Sequence, residues 1–129
     1  MNIKTAGVVS HKAGTKFGVV VKTDSGERTY IYEVPKETTL NQVELMAIKF
    51  ALLGTKEKAT ISTPSKYIID MVRREEPAGG LDWADPMEGW VRKPKSNVEL
   101  INEIRSLLVS KKAEIVYGKN EEIRVICKS

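Results

Sequence analysis

Apolar runs along the first quarter of the chain predict three β-strands, and in the third of them apolar and polar residues alternate. Each candidate strand is rich in β-branched, aromatic or small residues. The three segments are residues 3–9, 17–21 and 28–34. Only short connections separate them, and the second is the turn sequence Asp24-Ser25-Gly26-Glu27. Strands joined by short connections pair as antiparallel neighbours, so we expect the chain to begin with a three-stranded meander.

A helix is predicted directly after the meander. Thr39 and Gln42, three residues later, form a capping-box sequence, in which each residue satisfies a backbone N–H of the other. Apolar residues then recur at helical spacing on one face, at Val43, Met46, Ala47 and Phe50. The pattern therefore predicts an amphipathic helix that begins close to residue 40.

Two further helices are predicted in the second half of the chain. Thr63 suits the N-cap of the first, with Pro64 at the first helical position, where a missing N–H costs nothing. Ser96 and Glu99 repeat the capping-box pattern before the second. Residues 75–96 contain several prolines and a Gly-Gly pair, and we expect this segment to be irregular.

Short β-branched segments complete the pattern. Residues 59–62 predict a strand between the first two helices, and residues 113–117 and 123–127 predict a terminal hairpin with a tight turn. The order β-β-β-α-β-α-α-β, plus a terminal strand, is typical of an α/β fold with a mixed sheet flanked by helices. We expect residues 1–129 to form a single domain.

Composition narrows the possible classes of protein only slightly. The chain is 41% hydrophobic and 29% charged, as in ordinary globular proteins, and contains no run of about 18 apolar residues that would cross a membrane. We expect no signal peptide, and the single cysteine, Cys127, fits a reducing compartment such as the cytoplasm. A net charge of +4 is compatible with nucleic-acid binding but does not require it.

The predicted first helix resembles that of the type 1 ribonuclease H family. The run Thr38-Thr39-Leu40-Asn41-Gln42-Val43-Glu44-Leu45 is similar to the family's TTNNxxELxA run, whose glutamate binds metal. Two more segments, residues 62–67 and 89–100, are similar to family segments in the same order. The resemblance implies a five-stranded mixed sheet, antiparallel for its first three strands and then extended in parallel.

The same resemblance implies that most of the family's catalytic acids are missing. The chain has Thr5-Ala6-Gly7 where the family has Thr-Asp-Gly, and Ser62-Thr63-Pro64-Ser65 where it has Ser-Thr-Asp-Ser. Hydrolysis with two Mg²⁺ ions needs several converging carboxylates, and one carboxylate alone binds Mg²⁺ weakly. Only Glu44 of the family's acids is in place, and Ala6 and Pro64 occupy two of the other acid positions, so we expect no catalytic residues, no metal site and no cofactor.

The resemblance also points to residues that would contact nucleic acid. The candidates are Asn41, Lys66, Trp90, Arg92, Lys93 and Lys95. Asn41 and Lys66 match family positions that reach the groove of an RNA/DNA hybrid. The segment around Trp90 resembles a basic protrusion that grips the DNA strand in some family members. Lysine and arginine suit phosphate contacts, and an aromatic ring can stack on a sugar or base.

Three functions stay open at this point. The leading hypothesis is a catalytically inactive module that binds hybrid or duplex without cleaving it, because a site with one carboxylate repels phosphate less than a site with four. The alternative is a protein-interaction or structural module, for example a homodimer built by sheet extension. A nuclease with relocated acids would combine Glu44 with Asp70, Glu121 or Glu122, since the predicted terminal strand replaces the family's last acid-bearing helix.

Overall fold

A mixed five-stranded sheet organises the chain, as predicted. The computed structural model describes residues 1–10, 12, 14–55, 58–73 and 97–128. In order, its elements are β1 (Asn2–Ser10), β2 (Gly14–Thr23), β3 (Gly26–Val34), α1 (Leu40–Gly54), β4 (Thr60–Thr63), α2 (Lys66–Arg73), α3 (Asn97–Lys111), β5 (Glu114–Tyr117) and α4 (Glu121–Lys128). The strand order in the sheet is β3-β2-β1-β4-β5.

The sheet is continuous at one end and open at the other. β1, β2 and β3 pair along their whole lengths as the predicted antiparallel meander. β4 is parallel to β1 and to β5. The β1–β4 pairing ends at Lys4 and Ser62, although β1 continues to Ser10. A gap therefore opens between β1 and β4 beyond these two residues, and we call it the β1–β4 gap.

The two faces of the sheet carry different helices. Side chains alternate along β1, so that Ile3 belongs to one core, whereas Ala6 and Val8 belong to another. The larger core includes the buried residues of α1, α2 and α3. The smaller core contains Ile123 and Cys127 of α4. α4 thus covers the face opposite the other three helices. No helix within the described ranges is long and apolar enough to cross a membrane.

α1 begins with the predicted capping box. The hydroxyl of Thr39 accepts a hydrogen bond from the backbone N–H of Gln42, and the Gln42 side chain accepts one from the backbone N–H of Thr39. The predicted apolar face is confirmed, since all four of its residues are buried or packed on the core. Leu45, Ile48 and Leu52 are buried as well, because α1 lies between the sheet and α3. Each such aliphatic side chain contributes about 1.5–3 kcal/mol to stability.

The predicted start of α2 is wrong by two residues. Thr63 belongs to β4, where it pairs with Tyr117 of β5, and the helix begins at Lys66. Ser65 caps it instead, because its hydroxyl accepts a hydrogen bond from the backbone N–H of Ile68 at 3.2 Å. Pro64 joins strand to helix. α3 begins at Asn97, and the predicted cap residue before it, at position 96, lies outside the described residues.

The predicted terminal hairpin is also wrong. Its first strand is confirmed as β5, but the segment 123–127 lies within α4. The buried residues of α4, Ile123 and Cys127, are four positions apart, which is the repeat of a helix and not of a strand. Helix and sheet approach closely at Gly18, where a Cβ atom would lie 2.5 Å from Cγ2 of Ile123. The chain therefore ends in a helix packed on β1 and β2.

Candidate functional site

Glu44 is buried at the β1–β4 gap, where only 3% of its surface is exposed. Its place depends on a close approach of α1 to β1. A Cβ atom at Gly7 would lie 2.7 Å from Cγ1 of Val43 and 3.2 Å from the backbone nitrogen of Glu44. No side chain fits between the two elements at this point. The missing side chain of Gly7 therefore lets α1 hold a carboxylate at the end of the sheet.

Arg124 of α4 is the cation that meets this carboxylate. Its Nη2 atom lies 3.7 Å from Oε1 of Glu44. Because α1 and α4 cover opposite faces, the two side chains meet where the sheet is open. Glu44 Oε2 and Arg124 Nε are buried, and neither has a hydrogen-bond partner among the described residues. The ion pair thus joins the helix layers on the two faces of the sheet. One polar atom of each group is left without a hydrogen-bond partner among the described residues.

Burial dominates the electrostatics of Glu44. It raises the pKa of the Glu44 carboxyl above its ordinary value of 4.5. The positive charge of Arg124 and a hydrogen bond with the hydroxyl of Thr63 lower this pKa, but by less. Loss of hydration disfavours the charged form of a buried acid. The ionised carboxylate is therefore less stable here than in water, despite its partner.

Glu44→Gln is expected to remove a pH dependence of folding stability. A carboxyl with a raised pKa in the folded state contributes stability that is fully present below its ordinary pKa. That contribution is lost as the pH rises through the higher folded value. Chemical denaturation between about pH 4 and about pH 8 should show the free energy of unfolding of the wild type falling relative to the variant.

A matched control for this pH series is Glu122→Gln. Its hydrogen bond with Lys4 lowers the pKa of Glu122, so this carboxyl contributes stability above its ordinary pKa that is lost as the pH falls. The two variants should differ from the wild type with opposite slopes against pH. A pH-independent difference for Glu44→Gln would show that its charge is not desolvated in the folded protein.

Asn120 ties the two strands together at the gap. It is 7% exposed and has a left-handed backbone, with φ of 49°. Its Nδ2 atom donates to the carbonyl oxygens of Thr5 at 2.8 Å and Ser62 at 3.2 Å. The Thr5 hydroxyl also donates to the Ser62 carbonyl, at 2.9 Å. These bonds replace the missing ladder between β1 and β4 and fix the residue that precedes α4.

Two of the predicted nucleic-acid contacts, Lys66 and Asn41, lie at this end of the sheet. Lys66 and Tyr117 are both exposed, and Nζ of Lys66 lies 4.9 Å from the centre of the Tyr117 ring. Tyr117 pairs with Thr63, whose hydroxyl bonds to Glu44. Asn41 is half-buried, one helical turn before Glu44. The other four candidates, Trp90, Arg92, Lys93 and Lys95, lie outside the described residues.

Comparison with models of known protein families gives a match for the chain. The RNase H family model matches residues 3–119, which is most of its length. The chain belongs to the RNase H family. Membership relates its function to nucleic acid. No curated protein matches the sequence. The RNase H match ends directly before Asn120, so α4 and its Arg124 lie beyond the matched residues.

The site of this RNase H domain does not fit a pair of Mg²⁺ ions. Mg²⁺ requires several oxygen ligands in octahedral geometry. Ala6 is fully buried and packs in the smaller core, and neither its methyl group nor the Pro64 ring offers an oxygen. Among the described residues, the carboxylate at the β1–β4 gap is that of Glu44, and it already faces the guanidinium of Arg124. A second cation beside that guanidinium would be repelled.

The acids considered as replacements are paired with another residue or exposed to solvent. Glu122 forms an ion pair with Lys4 at 2.9 Å. Glu121 is exposed in the first turn of α4, and Asp70 is exposed on α2. Within the described part of the RNase H domain, no three histidine, cysteine, aspartate or glutamate side chains are placed to hold a metal ion. The geometry gives the relocated-acid hypothesis no support.

The sequence predicts neither Asn120 nor Arg124 as a site residue. The predicted hairpin, which does not form, places Asn120 in its turn and Arg124 in its second strand. Two signals for a helix were present: the acids Glu121 and Glu122 in its first turn and Lys128 in its last, which match the helix dipole. A helix starting after Asn120 would have put Arg124 on the last element of the fold.

Proposed function

We propose that this member of the RNase H family binds an RNA/DNA hybrid or nucleic-acid duplex without cleaving it. One observation carries the proposal: Glu44, the carboxylate that the described residues place at the gap, is buried and faces the guanidinium of Arg124. Metal-assisted phosphodiester hydrolysis needs carboxylates that hold two cations in line with the attacking and leaving oxygens. A carboxylate compensated from within the protein leaves that arrangement without ligands.

The same pairing favours binding in the absence of metal. A cluster of acids repels a phosphate backbone unless divalent ions neutralise it. Here Arg124 supplies a fixed positive charge next to Glu44, so the site needs no metal to accept an anion. We therefore expect affinity for nucleic acid to be the same with Mg²⁺ and with EDTA at matched ionic strength.

Exposed residues beside the site suit contact with the backbone. Lys66 offers a charge for phosphate, and Tyr117 beneath it offers a ring on which a sugar or base can stack. Asn41 offers an amide to the groove from the start of α1. Trp90, Arg92, Lys93 and Lys95 remain proposed contacts on the strength of the sequence alone.

Lys66→Glu is expected to weaken binding about tenfold at roughly 0.1 M salt, because it replaces a phosphate contact with a repulsion. Fluorescence anisotropy with labelled hybrid, duplex DNA and single strands measures the affinity. Lys58→Glu is the matched control, since Lys58 is exposed near Met1, at the other end of the sheet. It makes the same change in net charge and should shift the affinity less than about twofold.

A denaturing gel of the same samples tests cleavage. Intact strands with tight binding in EDTA would support the proposal, whereas strands cut only with Mg²⁺ would refute its non-cleaving part. Equal losses in Lys66→Glu and Lys58→Glu would refute the assigned surface. If no probe binds at low salt, the protein-interaction alternative gains support. The exposed residues Ile31 and Tyr32 on the edge strand β3 would then be its first candidate contacts.

A further inference from the structure

Glu44 attracts the guanidinium of Arg124 but does not occupy its hydrogen-bond donors. Its one ionic contact among the described residues is the 3.7 Å approach to Glu44, which is too long for a hydrogen bond. Its Nε atom is buried without a partner in the described part of the chain. An arginine carries five N–H donors, and 31% of this side chain is exposed. Donors are therefore available to a ligand that reaches the β1–β4 gap.

The position of Arg124 makes it part of the proposed binding surface. Glu44 connects it to Thr63, and Thr63 is the strand partner of Tyr117, over which Lys66 lies. Arg124 at the gap and the exposed Lys66 above the ring thus flank the same end of β4. Phosphates repeat along each strand of a duplex, so two cations on one end of the sheet can meet one backbone.

We propose that Arg124 binds a backbone phosphate of the nucleic acid and that the Glu44 carboxylate competes with this phosphate for its guanidinium. This inference rests on the proposed function and adds the residue and the ligand group at the centre of the site. The planar fork of arginine matches two phosphate oxygens at once, which a lysine cannot do. Glu44 attracts the Arg124 side chain through its charge, without forming the short hydrogen bonds that would occupy the donors of the guanidinium.

A purely structural ion pair is the competing explanation, and the effect of Glu44→Gln separates the two. Loss of a carboxylate reduces the repulsion of phosphate in either case, so Glu44→Gln is compared with and without Arg124. If Arg124 served only to neutralise Glu44, the variant would strengthen hybrid binding equally in the wild type and in Arg124→Gln. If Arg124 contacts phosphate, the gain should be severalfold larger when Arg124 is present, because the guanidinium is no longer shared.

The decisive measurement is the salt dependence of hybrid binding. Arg124→Gln should weaken binding about tenfold and reduce the slope of log K against log salt by about 1, since one phosphate contact is lost. Arg124→Lys should keep the slope but recover only part of the affinity, because charge remains and the fork is lost. Arg28→Gln is the control: Arg28 is exposed on β3, and the variant should keep the wild-type slope.

A fold control and a direct signal accompany the titration. Glu44→Gln/Arg124→Gln removes both charges together, so it preserves the packing if Arg124→Gln alone unfolds, and it should show the same reduced slope. The Arg124 Nε–H resonance, assigned by its absence in Arg124→Lys, should shift when hybrid is added. Inorganic phosphate at matched ionic strength distinguishes a general phosphate site, which both ligands shift, from one that requires the polymer.

The outcomes separate this inference from the proposed function. Wild-type affinity and slope in Arg124→Gln, together with weakened binding by Lys66→Glu, would overturn the role of Arg124 and leave the binding function standing. Absence of binding by the wild-type protein would overturn both. A reduced slope in Arg124→Gln and in the double variant, tighter binding by Glu44→Gln and a shifted resonance would establish the phosphate contact.

Discussion

Asn120→Ala is expected to lower the free energy of unfolding by about 3 kcal/mol. The variant loses the side-chain hydrogen bonds to the carbonyl oxygens of Thr5 and Ser62, each worth about 1 kcal/mol. It also puts alanine at a φ of 49°, where a Cβ atom costs about 1 kcal/mol that asparagine tolerates better. Urea denaturation followed by circular dichroism measures the loss.

Two companion variants separate these contributions. Asn120→Gly keeps the left-handed backbone and should lose only the hydrogen bonds, so it should be about 1 kcal/mol more stable than Asn120→Ala. Lys112 has a φ of 54° where its backbone and that of Ala113 close the end of α3. Lys112→Gly should therefore raise stability by up to about 1 kcal/mol. If Asn120→Ala is within about 0.5 kcal/mol of the wild type, the side-chain bridge is not what joins the strands.

The last segment of the sequence is the hardest to predict, because the helix that forms there depends on contacts with residues distant in sequence, such as those of Asn120. The meander and α1 follow from local signals: β-branched runs with short turns, and the Thr39–Gln42 capping box. α4 has only eight residues, and its β-branched side chains favour a strand locally. Helix is selected by packing of Ile123 against Gly18 and by the hydrogen bonds of Asn120, contacts that no local pattern contains.

For the candidate site, the sequence predicts which positions lack an acid but not what compensates the remaining one. Ala6 and Pro64 could be proposed as replacements of acids from their places in the motifs that resemble the family's, and Glu44 from the helix run. The burial of Glu44 and its pairing with Arg124 could not, because the two residues are distant in sequence and meet only through the β1–β4 gap. That contact requires the register of β1 and β4, the close approach at Gly7 and the existence of α4.

Loss of the acids and presence of Arg124 are physically connected. A buried carboxylate without a compensating charge is strongly destabilising, whereas one paired with a guanidinium is tolerated. In a metal-dependent site the compensating charge comes from the ions; here it comes from α4. This internal cation is the basis of the proposed binding of phosphate without metal.

Gly7→Ala is expected to lower the free energy of unfolding by about 2–3 kcal/mol, because overpacking at a tight contact forces elements apart. Its Cβ atom would lie 2.7 Å from Cγ1 of Val43 and 3.2 Å from the backbone nitrogen of Glu44. The side chain of Val43 can rotate, but the backbone of α1 must shift. Such a shift moves the Glu44 carboxylate relative to Arg124, so stability and the site should change together. Thermal and urea denaturation measure the effect.

Gly54→Ala is the control that makes the Gly7 result specific. A Cβ atom at Gly54 meets nothing within 4 Å, and alanine favours the end of α1, so this variant should gain up to about 1 kcal/mol. The same substitution thus has opposite signs at two glycines. In a Val43→Ala background, Gly7→Ala should lose less stability than in the wild type, since its closest contact is gone. Strictly additive losses would mean that the strain lies with the α1 backbone at Glu44 and not with the valine.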